Sequence, residues 1–546
     1  MNKSRSLPRL YRRREMLQGS VGITVAGLLA RSSSSIALAS QFVQPSIGAV
    51  VETNRGKVRG LVRNGIHCFK GIPYGASTAG ANRFMPPVPP KPWTGVRDAL
   101  QFGHQAPQNV HFTDVLAPQA DPAEGFDEDC LVLNVWTPAP NGPGKRPVMF
   151  WCHGGGFATE GGSWPWSNGE ALARRGDVVV ITINHRLNVF GYLHLGDLGG
   201  EKYAASGNVG MLDLIAGLRW VRDNIAQFGG DPENVMIFGE SGGGAKVSTL
   251  LAMPDAKGLF HRAAIQSGAW LRGVPREEAT RTAEALLGEL GISPEKIDDL
   301  QQVPAAKLLA AHSGVMQPLP PRKGELLMGY SPVVDGRFLP THPFDPVASP
   351  LSASVPVLVG CTQFETTLFY LADRAAFALD LELLQQRMED IAGPAEAARL
   401  IHTYQTAYPH ESASDLFFRM TTDRLVRRNT VTLAERKSDQ AADVYMYSFA
   451  WRSPALDGVL RAPHTVEIPF VFDNTDIPKV MTNAPTAKAL ADKTSRAWIA
   501  FARTGNPNHG GLPKWPTYER QRRSTMVFDD VCRVINDPDP IVRAVS

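Results

Sequence analysis

The stretch Val235-Met-Ile-Phe-Gly-Glu-Ser-Gly-Gly-Gly244 constrains the fold most, because an apolar run stops abruptly in Gly239-Glu240-Ser241-Gly242-Gly243. The run has the composition of a buried strand, and Gly244-Ala-Lys-Val-Ser-Thr-Leu-Leu251 reads as a closely packed helix. The chain must then turn sharply at Ser241. A serine on such a turn sits in strained backbone geometry, and glycines two residues to either side let strand and helix approach closely enough to lift its hydroxyl into a cleft. A glycine-rich loop or phosphate cradle is the competing reading; the strand before and the helix after favour a nucleophile.

A chain of 546 residues, 43% hydrophobic and 20% charged, can bury a large core. No long charge run, low-complexity linker or internal repeat divides it beyond the first 39 residues, which predicts a single domain over 40–546. The net charge of +3 misleads, because residues 1–39 hold seven Lys or Arg against Glu15, leaving the remainder at −3. A mildly acidic body gives no reason to expect nucleic-acid or anionic-membrane partners. Within 1–39, Arg12-Arg13-Arg14-Glu15-Met16-Leu17 precedes a weakly apolar run, Gly19–Ala30, and then Ala37-Leu-Ala39. This pattern is similar to a bacterial twin-arginine export signal cleaved after Ala39, with Ser40 as the mature start and a periplasmic or secreted destination. A membrane anchor is the alternative, but about twelve apolar residues are too few to span a bilayer. No later stretch reaches eighteen unbroken apolar residues, so no stable membrane insertion is expected after signal removal. Cys68, Cys130, Cys152, Cys361 and Cys532 are odd in number and lack paired spacing, which argues against a disulfide framework and against a C-x-x-C metal site.

Along the chain, Gly48 to Tyr74 alternates like short antiparallel strands, with turns at Asn54-Arg55-Gly56 and Asn64-Gly65. The Pro-rich segment Arg83 to Trp93 must be irregular. Further strands are expected at Leu131–Trp136, Val148–His153, Val178–Asn184, Ala263–Gly268, Val355–Gly360 and Asp443–Phe449, with Thr525–Phe528 as a final short one. Helices are expected at Leu212–Phe228, Glu277–Leu290 and Ala487–Arg503, and a mainly helical cap or outer layer at about Leu379 to Glu435. The alternation of strand and helix is that of a large, mostly parallel α/β sheet flanked by helices, entered by antiparallel N-terminal strands.

A serine hydroxyl is a weak nucleophile near neutral pH; it needs a base, and the base needs an orienting acid. His464 stands apart from His261, His312, His342, His402, His410 and His509, because Arg461-Ala-Pro-His464 reads as a loop between a strand and the apolar Ile468–Phe472. Gly154-Gly-Gly156, directly after the strand ending at His153, exposes backbone N–H groups suited to an oxyanion; a simple flexible loop is the alternative.

The motifs Phe69-Lys-Gly-Ile-Pro-Tyr74, Glu128-Asp-Cys-Leu-Val-Leu-Asn134, Gly154-Gly-Gly-Phe157, Gly207-Asn-Val-Gly-Met-Leu-Asp213, Phe238-Gly-Glu-Ser-Gly-Gly243, His464 with Glu467-Ile-Pro-Phe470, and Phe501-Ala-Arg-Thr-Gly-Asn-Pro507 span nearly the whole of 40–546. In them the chain resembles the type-B carboxylesterase family, α/β-hydrolases that include bacterial p-nitrobenzyl esterases and animal cholinesterases. The resemblance implies an α/β-hydrolase fold and a serine esterase working through an acyl-enzyme. It makes Ser241 the nucleophile, His464 the base, Glu365 the orienting carboxylate, and Gly155, Gly156 and Gly242 the oxyanion hole. Ser267 and Asp423 match polar supporting positions, and Phe157 and Trp270 are candidate pocket walls. A solvated glutamate at a helix start is the other reading of Glu365, whose neighbours Phe364 and Thr366 depart from the family pattern. Gly242 stands where alanine is usual, a change its backbone donor tolerates.

Two more departures narrow the expectation. Cys130 matches a family half-cystine whose partner position is Ala106 here, so that bridge cannot form. The loop from Pro107 to Asp129 lacks the tryptophan on which cholinesterases stack their cationic substrate, so choline esters are not expected to be favoured. The implied partner is a small-molecule ester, with no metal or organic cofactor; the oligomeric state is open, a monomer being simplest. A catalytically silent scaffold of the same fold and an exported redox protein are the competing classes. The intact serine, glutamate and histidine argue against the first, and the lack of a haem or iron–sulfur cysteine pattern against the second.

Overall fold

A computed structural model describes residues 46–109, 125–142, 145–316 and 330–544. The leader expected at 1–39 and most of the 107–129 loop lie outside these residues. Pro45–Ser546 form one compact unit.

The N-terminal strands β1 (Ser46–Thr53), β2 (Gly56–Arg63) and β3 (Ile66–Pro73) form the expected antiparallel meander, with β4 (Val96–Asp98) lying parallel to β2. Asn64 and Gly65 turn the second hairpin with φ of 50° and 78°, the left-handed geometry that makes Asn-Gly a hairpin signal. Next come β5 (Val132–Thr137), β6 (Arg146–Cys152), β7 (Val179–Ile183), β8 (Gly230–Glu240) and β9 (Arg262–Gln266). A separate two-stranded pair, β10 (Val274–Pro275) and β11 (Val333–Val334), precedes β12 (Val357–Thr362), β13 (Val444–Phe449), β14 (Ser524–Phe528) and β15 (Arg533–Asn536). The main sheet runs β1-β2-β3-β5-β7-β6-β8-β9-β12-β13-β14-β15. From β7 to β14 every pairing is parallel, and the strands at both ends join antiparallel.

Successive residues of a strand face opposite sides, and here both sides are buried. On β6, Val148, Phe150 and Cys152 enter one core while Met149 and Trp151 enter the other; on β8, Val235 and Ile237 part from Met236 and Phe238 in the same way. This double coverage explains why the central strands read as unbroken apolar runs. Helix Val209–Asn224 covers the first face through Leu214, Leu218 and Val221, and helix Ala487–Thr504 the second through Leu490, Trp498 and Phe501. The expected helical layer consists of Leu381–Ala392, Pro394–Ala407, Ala413–Thr422 and Arg428–Ser438, the first three sharing their own core of Leu384, Leu400, Phe417 and Phe418.

The sheet departs from expectation in two places. Thr525–Phe528 is not the last strand, because β15 returns antiparallel beside it. The serine strand begins at Gly230 rather than Val235, its extra length accommodated by a register shift against β6 between Arg146 and Val148. Among the described residues no helix is long and apolar enough to cross a membrane. The five cysteines are free and buried.

Candidate active site

Ser241 follows β8 directly and opens helix Gly242–Leu250 with φ 56° and ψ −124°. A non-glycine residue there stores on the order of 1–3 kcal/mol of strain, so neighbours must hold it in place. Its N–H donates to the Gln266 carbonyl at 2.8 Å, and its own carbonyl accepts from Ala245 N–H at 3.0 Å. The glycines are there because nothing else fits. A Cβ on Gly239 would stand 2.5 Å from the Gly243 carbonyl carbon, and one on Gly243 2.0 Å from the Cys152 carbonyl oxygen.

His464 and Glu365 come from the loops after β13 and β12, and both are buried. His464 Nδ1 is hydrogen-bonded to Glu365 Oε2. Glu365 Oε1 accepts from the Ser267 hydroxyl and from Thr362 N–H, both at 2.6 Å. The opposite ring nitrogen, Nε2, lies 3.4 Å from Oε1 of Glu240, the residue immediately before Ser241. The imidazole therefore reaches from the glutamate to the elbow. Phe369, partly exposed, packs on its ring with centroids 4.9 Å apart.

Two further buried carboxyls belong to this cluster. Glu467 Oε1 lies 3.4 Å from the Ser267 hydroxyl, and burial followed by the charge of Glu365 raises its pKa. Glu240 is pushed well above the usual carboxylate range by burial, then by Glu467, Glu365 and Glu160. Both are driven toward the neutral form.

The expected oxyanion donors are preset through their own peptide units. A trans peptide points C=O and N–H in opposite directions, so fixing one aims the other. Gly154 C=O, which shares a peptide with Gly155 N–H, accepts from Lys246 Nζ at 3.2 Å and His153 Nδ1 at 3.1 Å. Gly155 C=O, paired with Gly156 N–H, accepts from Ala158 and Thr159 N–H at 3.1 and 3.0 Å. Ser241 C=O, paired with Gly242 N–H, carries the Ala245 bond. Gly155 and Gly156 take φ of 71° and 62°, which glycine alone adopts without strain. A Cβ on Gly242 would stand 2.0 Å from the Gly156 carbonyl oxygen, so the alanine usual in the family would not fit this loop as it stands.

Other candidates fall further out. Asp423 touches neither His464 nor Glu365; it pairs with Arg427 at 2.7 Å and accepts from Tyr404 OH at 2.7 Å. Arg427 in turn donates to the carbonyls of Thr362 and Gln363, just before Glu365. Phe157 is fully buried against Tyr192 and Trp270, so its ring supports the glycine loop from within, and only the partly buried Trp270 keeps an open face. Cys130 is a free thiol and Ala106 is buried. Of the residues the sequence reading missed, Glu240, Lys246 and Glu467 lie inside stretches already singled out, whereas Phe369 and Arg427 carry no local signal.

A model of the carboxylesterase family matches residues 48–536. The para-nitrobenzyl esterase of Bacillus subtilis (strain 168) is 38% identical over 494 residues, covering 90% of this chain and 96% of the relative. The phenmedipham hydrolase of Pseudarthrobacter oxydans is 34% identical, with coverage of 90% and 98%. A crystal structure of a Geobacillus stearothermophilus carboxylesterase at pH 6.2 superposes with a TM-score of 0.79 at 41% identity, covering 91% of this chain and 99% of that one. The chain belongs to the carboxylesterase family, and is a carboxylic-ester hydrolase on an α/β-hydrolase fold.

Proposed function

We propose that Ser241, His464 and Glu365 form the catalytic triad of this hydrolase, and that Gly155, Gly156 and Gly242 form its oxyanion hole. The observation that carries this is the histidine's span, with Nδ1 on Glu365 and Nε2 beside the residue preceding Ser241. His464 Nε2 removes the Ser241 proton as Oγ bonds to the ester carbon, and the carbonyl oxygen becomes an oxyanion facing the three N–H groups. Collapse breaks the bond to the alcohol, which leaves with the proton from Nε2. Water then attacks the acyl-enzyme by the same route and releases the acid. Ser241→Ala should abolish hydrolysis of a short-chain p-nitrophenyl ester while circular dichroism stays unchanged. Unchanged turnover in that variant would sink the mechanism.

The substrates best supported are uncharged esters with an aromatic or alkyl alcohol. The half-exposed Phe369 on the histidine ring, the partly buried Trp270 and the para-nitrobenzyl esterase among the relatives support this. The missing tryptophan in 107–129 speaks against choline esters. Residues 1–39 act as a twin-arginine export signal, so the reaction takes place outside the cytoplasm; the paired arginines, the short apolar run and Ala37-Leu-Ala39 support this. Replacing Arg13 and Arg14 by lysine should leave activity in the cytoplasmic fraction, and equal export of that variant would overturn the assignment.

A further inference from the structure

Lys246 is a buried cation one turn and a half beyond the nucleophile, on the helix that Gly242 opens. Its Nζ donates to the carbonyls of His153 at 2.8 Å and Gly154 at 3.2 Å, and lies 5.6 Å from the Phe157 ring centre. Burying an ammonium is costly unless its donors are satisfied, so these carbonyls are its main compensation. They belong to the two peptides that lead into Gly155. We propose that Lys246 is the positioning residue of the oxyanion hole: it holds the Gly154 carbonyl and thereby aims the Gly155 N–H at the forming oxyanion. It also polarises that peptide, which strengthens the N–H as a donor. This role rests on the esterase reading above, and it extends the hole from its three donors to the charge behind them.

The titratable groups that act on Lys246 or feel its charge are Cys152 and His153 at the end of β6, His185 beyond β7 and Glu160 beyond the glycines, while Glu240 at the end of β8 lies beside Gly154. His153 and His185 stack with centroids 4.7 Å apart, and burial followed by the Lys246 charge holds both well below the usual histidine range. Cys152 is pushed up to about 12 by burial, so it stays a thiol. Burial lowers Lys246 itself to about 8, against 10.5 for a free lysine, with Cys152 and Glu160 opposing. Raising the pH through that value removes the charge behind the Gly155 donor while the unfolded chain would still bind the proton. Catalysis should therefore weaken over a range in which the contribution of Lys246 to stability grows, so its own titration does not unfold the protein. Glu467 titrates in the same range with the opposite sign, and circular dichroism recorded at each pH separates a loss of fold from a loss of turnover.

The test is kcat and KM for a short-chain ester from about pH 6 to 10 in the full-length protein, comparing wild type with Lys246→Met and Lys246→Arg. Wild type should lose kcat with a midpoint near pH 8 while KM stays flat, since an oxyanion contact is made only in the transition state. Lys246→Met should lower kcat on the order of 10- to 100-fold at neutral pH, leave KM within about twofold and abolish the limb near pH 8. Lys246→Arg, charged throughout, should lack the limb and keep more of kcat than the methionine variant. A methionine variant with wild-type kcat, with its loss in KM, or with the limb retained would overturn the proposal. If neither variant folds, wild-type affinity for a trifluoromethyl ketone, whose adduct carries an oxyanion, decides. It should weaken through the same pH range, and an affinity flat across that range overturns the role. Failure of the esterase reading itself would show separately, as turnover persisting in Ser241→Ala.

Discussion

Gly242 shows how much one absent side chain determines. Its N–H is one of three proposed oxyanion donors, and the Gly156 carbonyl occupies the space where its Cβ would be. Alanine would drive the glycine loop off the elbow, and because the obstruction is backbone the loop must move as a unit. Gly242→Ala should therefore lower kcat for a p-nitrophenyl ester on the order of 10- to 100-fold and destabilise by about 1–3 kcal/mol, read from steady-state kinetics and denaturant unfolding. Wild-type kcat in that variant would mean that the loop yields without misaiming its donors. Sequence alone makes Gly242 a donor whose side chain is indifferent; only the approach of a segment from before residue 160 makes the glycine necessary. Ser241 is legible because its constraint is local, a strand end and close-packed glycines within ten residues. Lys246 is not, because the carbonyls that explain it lie more than ninety residues away in the chain.

The loop after β12 is a case in which one element positions another. Glu365 is held at its own end by Ser267 and Thr362, and the start of the loop is clamped by the Arg427 guanidinium on the carbonyls of Thr362 and Gln363. Arg427 sits in a π-helical turn, Asp423–Arg427, between two α-helices, where the wider turn accompanies the Asp423–Arg427 pair. Arg427→Met would leave the buried Asp423 carboxylate without its cation, with the Tyr404 hydroxyl still donating to it, and would also strip Asp539 of its ion pair at 3.6 Å. It should cost on the order of 3–5 kcal/mol of stability, and Asp423→Asn should couple to it in a double-mutant cycle by urea unfolding. Additive losses would show that the clamp is not a pair. The same scale explains what the sequence conceals. The central strands are legible because both faces are buried and the runs are continuous, whereas the exposed and half-buried four-residue β15 lacks that pattern. Asp423 matched a family position, but its route to the site through Arg427 depends on how the helical layer meets the sheet.

Across the whole molecule, the parallel sheet gathers residues 153–156, 240–242, 267, 365 and 464 at the C-terminal ends of five strands, where open α/β sheets bind their ligands. Convergence also concentrates acid, since Glu240, Glu365 and Glu467 are all buried within one cluster. The pH dependence of stability follows from this crowding. Glu467 ionises near 4.5 in the unfolded chain and at about 8 in the fold, with burial the larger cause and Glu365 the next. Between those values the folded state holds a proton that the unfolded state has released, so the contribution of Glu467 is complete below about 4.5 and is lost as pH rises through its folded value. The slope is at most about 1.4 kcal/mol per pH unit for one such group. Glu467→Gln keeps the neutral shape and removes the titration. The variant should therefore gain stability relative to wild type as pH is raised from about 5 to about 8, measured as the difference in urea midpoints at constant m-value. Removing Glu467 also relieves Glu240, whose raised pKa it helps to cause, so the gain should shrink when Glu240→Gln is the background. A difference in midpoint that stays constant across this range would show that Glu467 does not hold a proton in the fold that the unfolded chain has released. The charge of the site would then have to be balanced elsewhere in the fold.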